Sequence, residues 1–284
     1  WDSPEDVYDV DIEPAAKQSL SQLYIQYKND MMVAQAGRIG RMDAHLDDNV
    51  YEGIIAKIKP ADKLTLLVGA ISSFGEIDYD DAEDFTRITR LNGEEAGDAV
   101  FFTEAKVDVC KGFSTNPYVF YHQDYASVYG IDSDAHITLG DNTKIGAIVQ
   151  YHHVNSEVAN TDDADNYGLG AYVKAGPIYF RAGTHKVDGG TSGTDLVRPV
   201  WFRDYLYVDD QTVETYSQDA RSYYMLLKFT TKIADKKFWT SLIWRDTEYN
   251  EDGDVEGTEL QFGYQLTKAM DINLRFFEYD YNED

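Results

Sequence analysis

The stretch TELQFGYQLTKAMDINLRFFEYDYNED (residues 258–284) decides the fold. Its apolar and aromatic residues fall on every second position of two runs, with only TKAM between them. In the first run Leu260, Phe262, Tyr264 and Leu266 lie on one side, and Glu259, Gln261, Gly263 and Gln265 on the other. In the second, Ile272, Leu274 and Phe276 oppose Asp271, Asn273 and Arg275. A period of two is the signature of a strand with one apolar and one polar face, so the two runs form a hairpin.

The pattern repeats along the chain. Strands are predicted at 20–28, 31–39, 49–58, 63–71, 99–109, 116–123, 127–138, 142–154, 166–175, 177–186, 219–231, 237–247, 256–267 and 270–280. In VFFTEAKVDV, Phe101, Thr103, Ala105, Val107 and Val109 oppose Phe102, Glu104, Lys106 and Asp108. Most strands run to about ten residues, the length of a tilted membrane strand. One set of connections is short (KND, KPADK, CKGFSTN, LGDNT, AG, KIADKK and TKAM). The other is mostly long and acidic: 40–48, 72–98, 155–165, 187–218 and 248–255, with a short member near Asp124. Short turns at one end and long loops at the other describe an outer-membrane barrel, whereas a soluble sandwich has no reason to segregate its loops.

The bulk composition agrees. The 284 residues carry 51 acidic against 25 basic side chains, a net charge of −26, which argues against a nucleic-acid partner. No apolar run approaches the roughly 18 residues of a membrane helix, which leaves a barrel open. One cysteine, Cys110, allows neither an internal disulfide nor a cysteine zinc cluster. The 22 tyrosines and only 6 prolines suit long strands with interfacial ends.

The run LSQLYIQYKNDMMVAQAGRIGRMDAHLDDNVYEGIIAKIKPADKLTLLVGA resembles the OprD-type outer-membrane porins, in particular the Opr-family porins of Campylobacterota. The matching pieces are YIQYKND, the Ala-Gly-Arg at 36–38 and NVYEG at 49–53, and the similarity in spacing extends over roughly residues 20 to 280. The resemblance implies an all-β fold: a transmembrane antiparallel barrel of about 18 strands, water-filled and passing small solutes by diffusion. The fourteen strands visible here form a single barrel domain over 1–284. Bacterial barrels keep both termini in the periplasm, so an odd number of strands is expected to be missing at each end. The partners implied are outer-membrane lipid and lipopolysaccharide and small solutes, and the arrangement admits a homotrimer. No cofactor or metal is expected.

Polar residues of such strands face the water-filled interior. The basic lining residues are then Arg38, Lys106, Lys174, Arg181, Lys228, Arg245 and Arg275, and the acidic ones Glu52, Glu104, Asp108, Asp132, Asp134 and Glu259. Opposed charges of this kind orient a solute and set ion preference. The connection 187–218 holds RPVWFRDYLYVDD, and Trp201, Phe202, Arg203 and Tyr205 are candidates for a constriction folded into the pore, contact with a neighbouring subunit being the alternative. Loop 72–98, with EIDYDDAEDF, is a second candidate, for which simple solvated acidity is the alternative. Of the 51 acidic residues, 38 fall in 1–19, 40–48, 72–98, 155–165, 187–219, 248–256 and 278–284, the long connections and ends with the strand residues that border them. This predicts a negative vestibule and a modest cation preference. NEDGDVEG at 250–257 has calcium-loop oxygen spacing but lacks the terminal Glu of a twelve-residue EF-hand.

No enzyme is expected. The six histidines are scattered, there is no HExxH, GxSxG or phosphate loop, and Asp162, Asp163 and His153 read as ordinary rim composition. No CxxCH haem-attachment motif occurs. The alternative to a diffusion channel is a structural barrel that sheathes a partner, such as a cytochrome in an electron conduit, or anchors surface structures.

Overall fold

A computed structural model describes residues 22–40, 42, 44–46, 50–75, 86–87, 90–91, 94–95, 99–158, 161–190, 217–249, 253–267 and 270–283. The strands are β1 (Leu23–Lys28), β2 (Met32–Ile39), β3 (Val50–Ala61), β4 (Leu64–Gly75), β5 (Thr86–Arg87), β6 (Arg90–Leu91), β7 (Glu94–Glu95), β8 (Val100–Cys110), β9 (Phe113–His122), β10 (Ala126–Leu139), β11 (Thr143–Ser156), β12 (Ala164–Ala175), β13 (Ile178–Gly189), β14 (Arg221–Ile233), β15 (Lys236–Tyr249), β16 (Gly253–Thr267) and β17 (Met270–Glu283). Fourteen of them form one antiparallel ladder, each long strand beside the next in sequence, while β5 pairs with β4 and β6 with β7. All fourteen predicted strands are present, several of them longer than expected. The segment expected to be the turn CKGFSTN is mostly strand: Phe113 pairs with Cys110 and Ala135, which leaves Lys111 and Gly112 as the turn, with Gly112 at φ +84°.

Local chemistry fixes the short turns. Ile233 pairs with Lys236 across Ala234 and Asp235, both at positive φ (49° and 59°), the two-residue primed turn that matches strand twist. The turn after β12 places Gly176 at φ +55° before Pro177, and glycine adopts that conformation without steric cost.

Alternation along each strand sorts the side chains into two faces. One exposes Ile25, Ile54, Phe101, Val149, Leu169, Leu274 and Phe276, each more than half exposed (52–83%), an apolar surface suited to lipid. The other is crowded, as the concave inside of a curved sheet must be, and holds buried polar groups. Inward glycines lie beneath inward aromatic rings of neighbouring strands: Gly69 under Phe102, Gly130 under Tyr118, Gly146 under Tyr172, Gly183 under Tyr224 and Gly263 under Trp239. A Cβ at any of these would stand 2.1–2.4 Å from the ring or its hydroxyl. The rings therefore lie along the wall rather than across the interior, and they cover backbone that glycine leaves bare.

The inner wall is not uniformly polar. Toward the ends of the strands that carry the long connections it becomes apolar. Ile39, Tyr51, Ile55, Ile71, Val100, Phe120, Val128 and Val187 form a buried cluster there with Ala44 and Leu46 of the β2–β3 connection.

Candidate functional site

Charged side chains on the inner face divide into two sectors. The acidic sector lies on β8 and β10. Glu104 is 4% exposed, and Asp132 and Asp134 follow on the same face. Asn116 of β9 is paired with Asp132 in the ladder and donates to Glu104 Oε2 at 3.4 Å. Asp134 accepts from the Tyr172 hydroxyl (3.2 Å) and meets His136 Nδ1 at 3.0 Å.

The basic sector runs through β11 to β17. One cross-strand row reads Lys144, Lys174, Tyr179, Lys228, Ser241, Gln261 and Arg275. Arg181 and Arg245 lie on the same face nearby, almost fully buried. Lys144 Nζ stands 5.8 Å from the centre of the Tyr172 ring, Arg181 Cζ 5.5 Å from that of Tyr224 and Lys228 Nζ 4.7 Å from that of Trp239. Aromatic faces thus hold the cations against the wall. Glu259 interrupts the sector and binds Arg275, Nε to Oε1 at 2.7 Å.

Eleven of the thirteen expected lining residues share this inner face: Glu104, Lys106, Asp108, Asp132, Asp134, Lys174, Arg181, Lys228, Arg245, Glu259 and Arg275. Arg38 and Glu52 do not. They pair with each other, Nε to Oε1 at 2.8 Å, on the face opposite Ile39 and Tyr51, both of which are fully buried. The expectation took polar side chains to point inward. Near the long connections the inside is apolar, so Ile39 and Tyr51 take the inner positions and turn Arg38 and Glu52 outward. Trp201, Phe202, Arg203 and Tyr205, most of loop 72–98 and the start of the calcium-like segment 250–257 lie outside the described residues.

Sequence reading missed a residue that contacts the acidic sector directly. His45, between β2 and β3, gives its main-chain N–H to Glu104 Oε1 at 2.7 Å. Its ring Nδ1 meets Glu104 Oε2 at 2.8 Å, and Nε2 meets Asp132 Oδ2 at 2.5 Å. The imidazole stacks on Tyr118 with centroids 4.0 Å apart, and the Tyr118 hydroxyl reaches His152 Nδ1 at 2.9 Å. Burial disfavours the charged ring, but hydrogen bonds to Asp132 and Glu104 and their charges outweigh it, and the pKa is raised from 6.5 to about 10. His45 is therefore an imidazolium at neutral pH, donating from both nitrogens.

The architecture is shared with solved structures. Acinetobacter baumannii OccAB4 matches with a TM-score of 0.74 at 14% identity, over 92% of this chain and 70% of that one. Pseudomonas aeruginosa OpdQ matches with 0.74 at 14% identity, over 92% and 75%. Pseudomonas aeruginosa OpdL matches with 0.73 at 15% identity, over 91% and 76%. No protein-family model matches the chain, and no curated protein does. Likeness at these identities is a likeness of fold, and the fold of this chain is that of the OprD-type outer-membrane porins, 18-strand barrels to which its fourteen-strand ladder corresponds in part.

Proposed function

We propose that the chain is an outer-membrane porin, a channel rather than an enzyme, through which small hydrophilic solutes and ions diffuse, with modest cation preference. The observation that carries the reading is the two-faced wall: an apolar exterior suited to lipid, and an interior face holding Glu104, Asp132 and Asp134 on β8 and β10 and Lys174, Arg181, Lys228 and Arg245 on β12 to β15. A small molecule bearing both charges finds partners on the two sectors, so zwitterionic solutes suit this wall better than simple anions. The acidic connections join strand ends on one side of the ladder and bias the approach toward cations. Purified protein reconstituted in planar bilayers tests the proposal. A channel conducts in discrete steps, while a barrel that sheathes a partner or only anchors surface structures stays silent.

A further inference from the structure

We propose that His45 is a specificity-determining residue of this channel: by spanning Glu104 and Asp132 it masks their charge from the lumen and holds Ala44–Leu46 against the inner wall of β8 to β10. The inference rests on the channel reading above. Its basis is the seat itself. Among the described residues the imidazole meets Glu104 from β8, Tyr118 from β9 and Asp132 from β10, with Asn116 behind Glu104 and His152 of β11 beyond the Tyr118 hydroxyl. The flanking residues are fixed as well, Ala44 and Leu46 each being 1% exposed within the apolar cluster. A segment clamped at its centre by two charge-assisted hydrogen bonds and a ring stack, and on both sides by apolar burial, takes up cross-section that the wall would otherwise leave to solvent.

Charge bookkeeping gives the consequence for selectivity. On the inner face of β8 and β10 stand Glu104, Asp108, Asp132 and Asp134 against Lys106; His45 cancels one further negative charge and occupies both oxygens of Glu104 and one of Asp132. In the basic sector the buried Glu259 does the same for Arg275. With His45 in place, the wall beside the segment shows permeating ions less negative charge than its residue types suggest.

Two variants and a double variant separate width from charge, read as single-channel conductance and as reversal potential in a KCl gradient at mildly alkaline pH. His45→Ala should raise conductance and increase the potassium-over-chloride permeability ratio by about twofold or more. His45→Gln keeps a side chain in the seat without its charge, so the ratio should rise while conductance changes little. Glu104→Gln with Asp132→Asn releases the segment but removes the charge, so conductance should rise and the ratio should not. A purely structural role for His45 would leave the reversal potential unmoved in both His45 variants. A conducting wild type with unchanged conductance and reversal potential in both His45 variants overturns this inference alone. Silence of the wild type overturns the channel reading and this inference with it. Should His45→Ala fail to assemble, the His45→Gln reversal potential decides the matter by itself.

Discussion

The ring of Tyr118 lies so close over Gly130, its cross-strand partner, that a Cβ at position 130 would stand 2.4 Å from the ring's Cζ. The same ring carries the His45 imidazole on its stack and ties to His152 through its hydroxyl. Gly130 is thus the floor of the seat that holds the β2–β3 connection inside. Gly130→Ala must push the phenol off the wall, at a cost of about 1–3 kcal/mol for overpacking. Gly40→Ala is the control, since among the described residues its Cβ would find nothing nearer than Gln22 Nε2 at 3.8 Å. The measurement is the temperature at which the folded, fast-migrating band converts to the unfolded one on gels. Gly130→Ala should lower it and Gly40→Ala should not; equal temperatures for the two would remove the ring from its supporting role.

How much of this the sequence discloses follows from which contacts are local. Strand alternation is local, so Glu104, Asp132, Arg181, Lys228, Arg245, Glu259 and Arg275 could be assigned to one face from residues two positions apart. The same rule misplaced Arg38 and Glu52 because it equates polar with inward, and the interior beside Ile39 and Tyr51 is apolar. His45 carried no signal at all. It meets Glu104 across 59 positions and Asp132 across 87, from a connection with no periodicity to read. The glycine–aromatic pairs were hidden for a related reason: Gly183 and Tyr224, or Gly146 and Tyr172, become neighbours only once the register is known.

The register of the last hairpin is open to chemical labelling. Gln261 pairs with Arg275 and Gly263 with Asn273 on the inner face, while Phe262 and Leu274 pair on the outer one. The exposed Cys110 is first replaced by serine. A hydrophilic thiol reagent applied to membrane-embedded protein should then label Cys introduced at 261 or 273 and spare Cys at 262 or 274. The opposite labelling would invert the two faces.

The His45 clamp makes stability depend on pH in a defined window. The folded-state pKa lies above the ordinary value, so the stabilisation is complete below pH 6.5 and is lost as pH climbs toward about 10. Removing the imidazole leaves Glu104 and Asp132 without their cation, and loss of one partner from such a buried pair costs about 3–5 kcal/mol. The gap in unfolding temperature between wild type and His45→Ala should therefore be widest below pH 6.5 and close as pH approaches about 10. A gap of constant size over that range would mean that packing on Tyr118, not charge, holds the ring.

Selectivity sets the acidic connections against the basic wall. The acidic residues of the long connections favour cations in the approaching solution, and the row of Lys144, Lys174, Lys228 and Arg275 favours anions within. Distance decides between them. The approach potential reaches about 10 Å in 0.1 M salt but only about 3 Å in 1 M salt, whereas wall cations act on a solute at contact. Reversal potentials across KCl gradients should accordingly show modest cation preference in dilute salt that fades in concentrated salt. Lys174→Gln with Lys228→Gln should strengthen that preference at every concentration, because the basic row then opposes it less. Anion preference persisting in dilute salt would show that the wall governs passage, and the acidic connections would then be left without a role in selectivity.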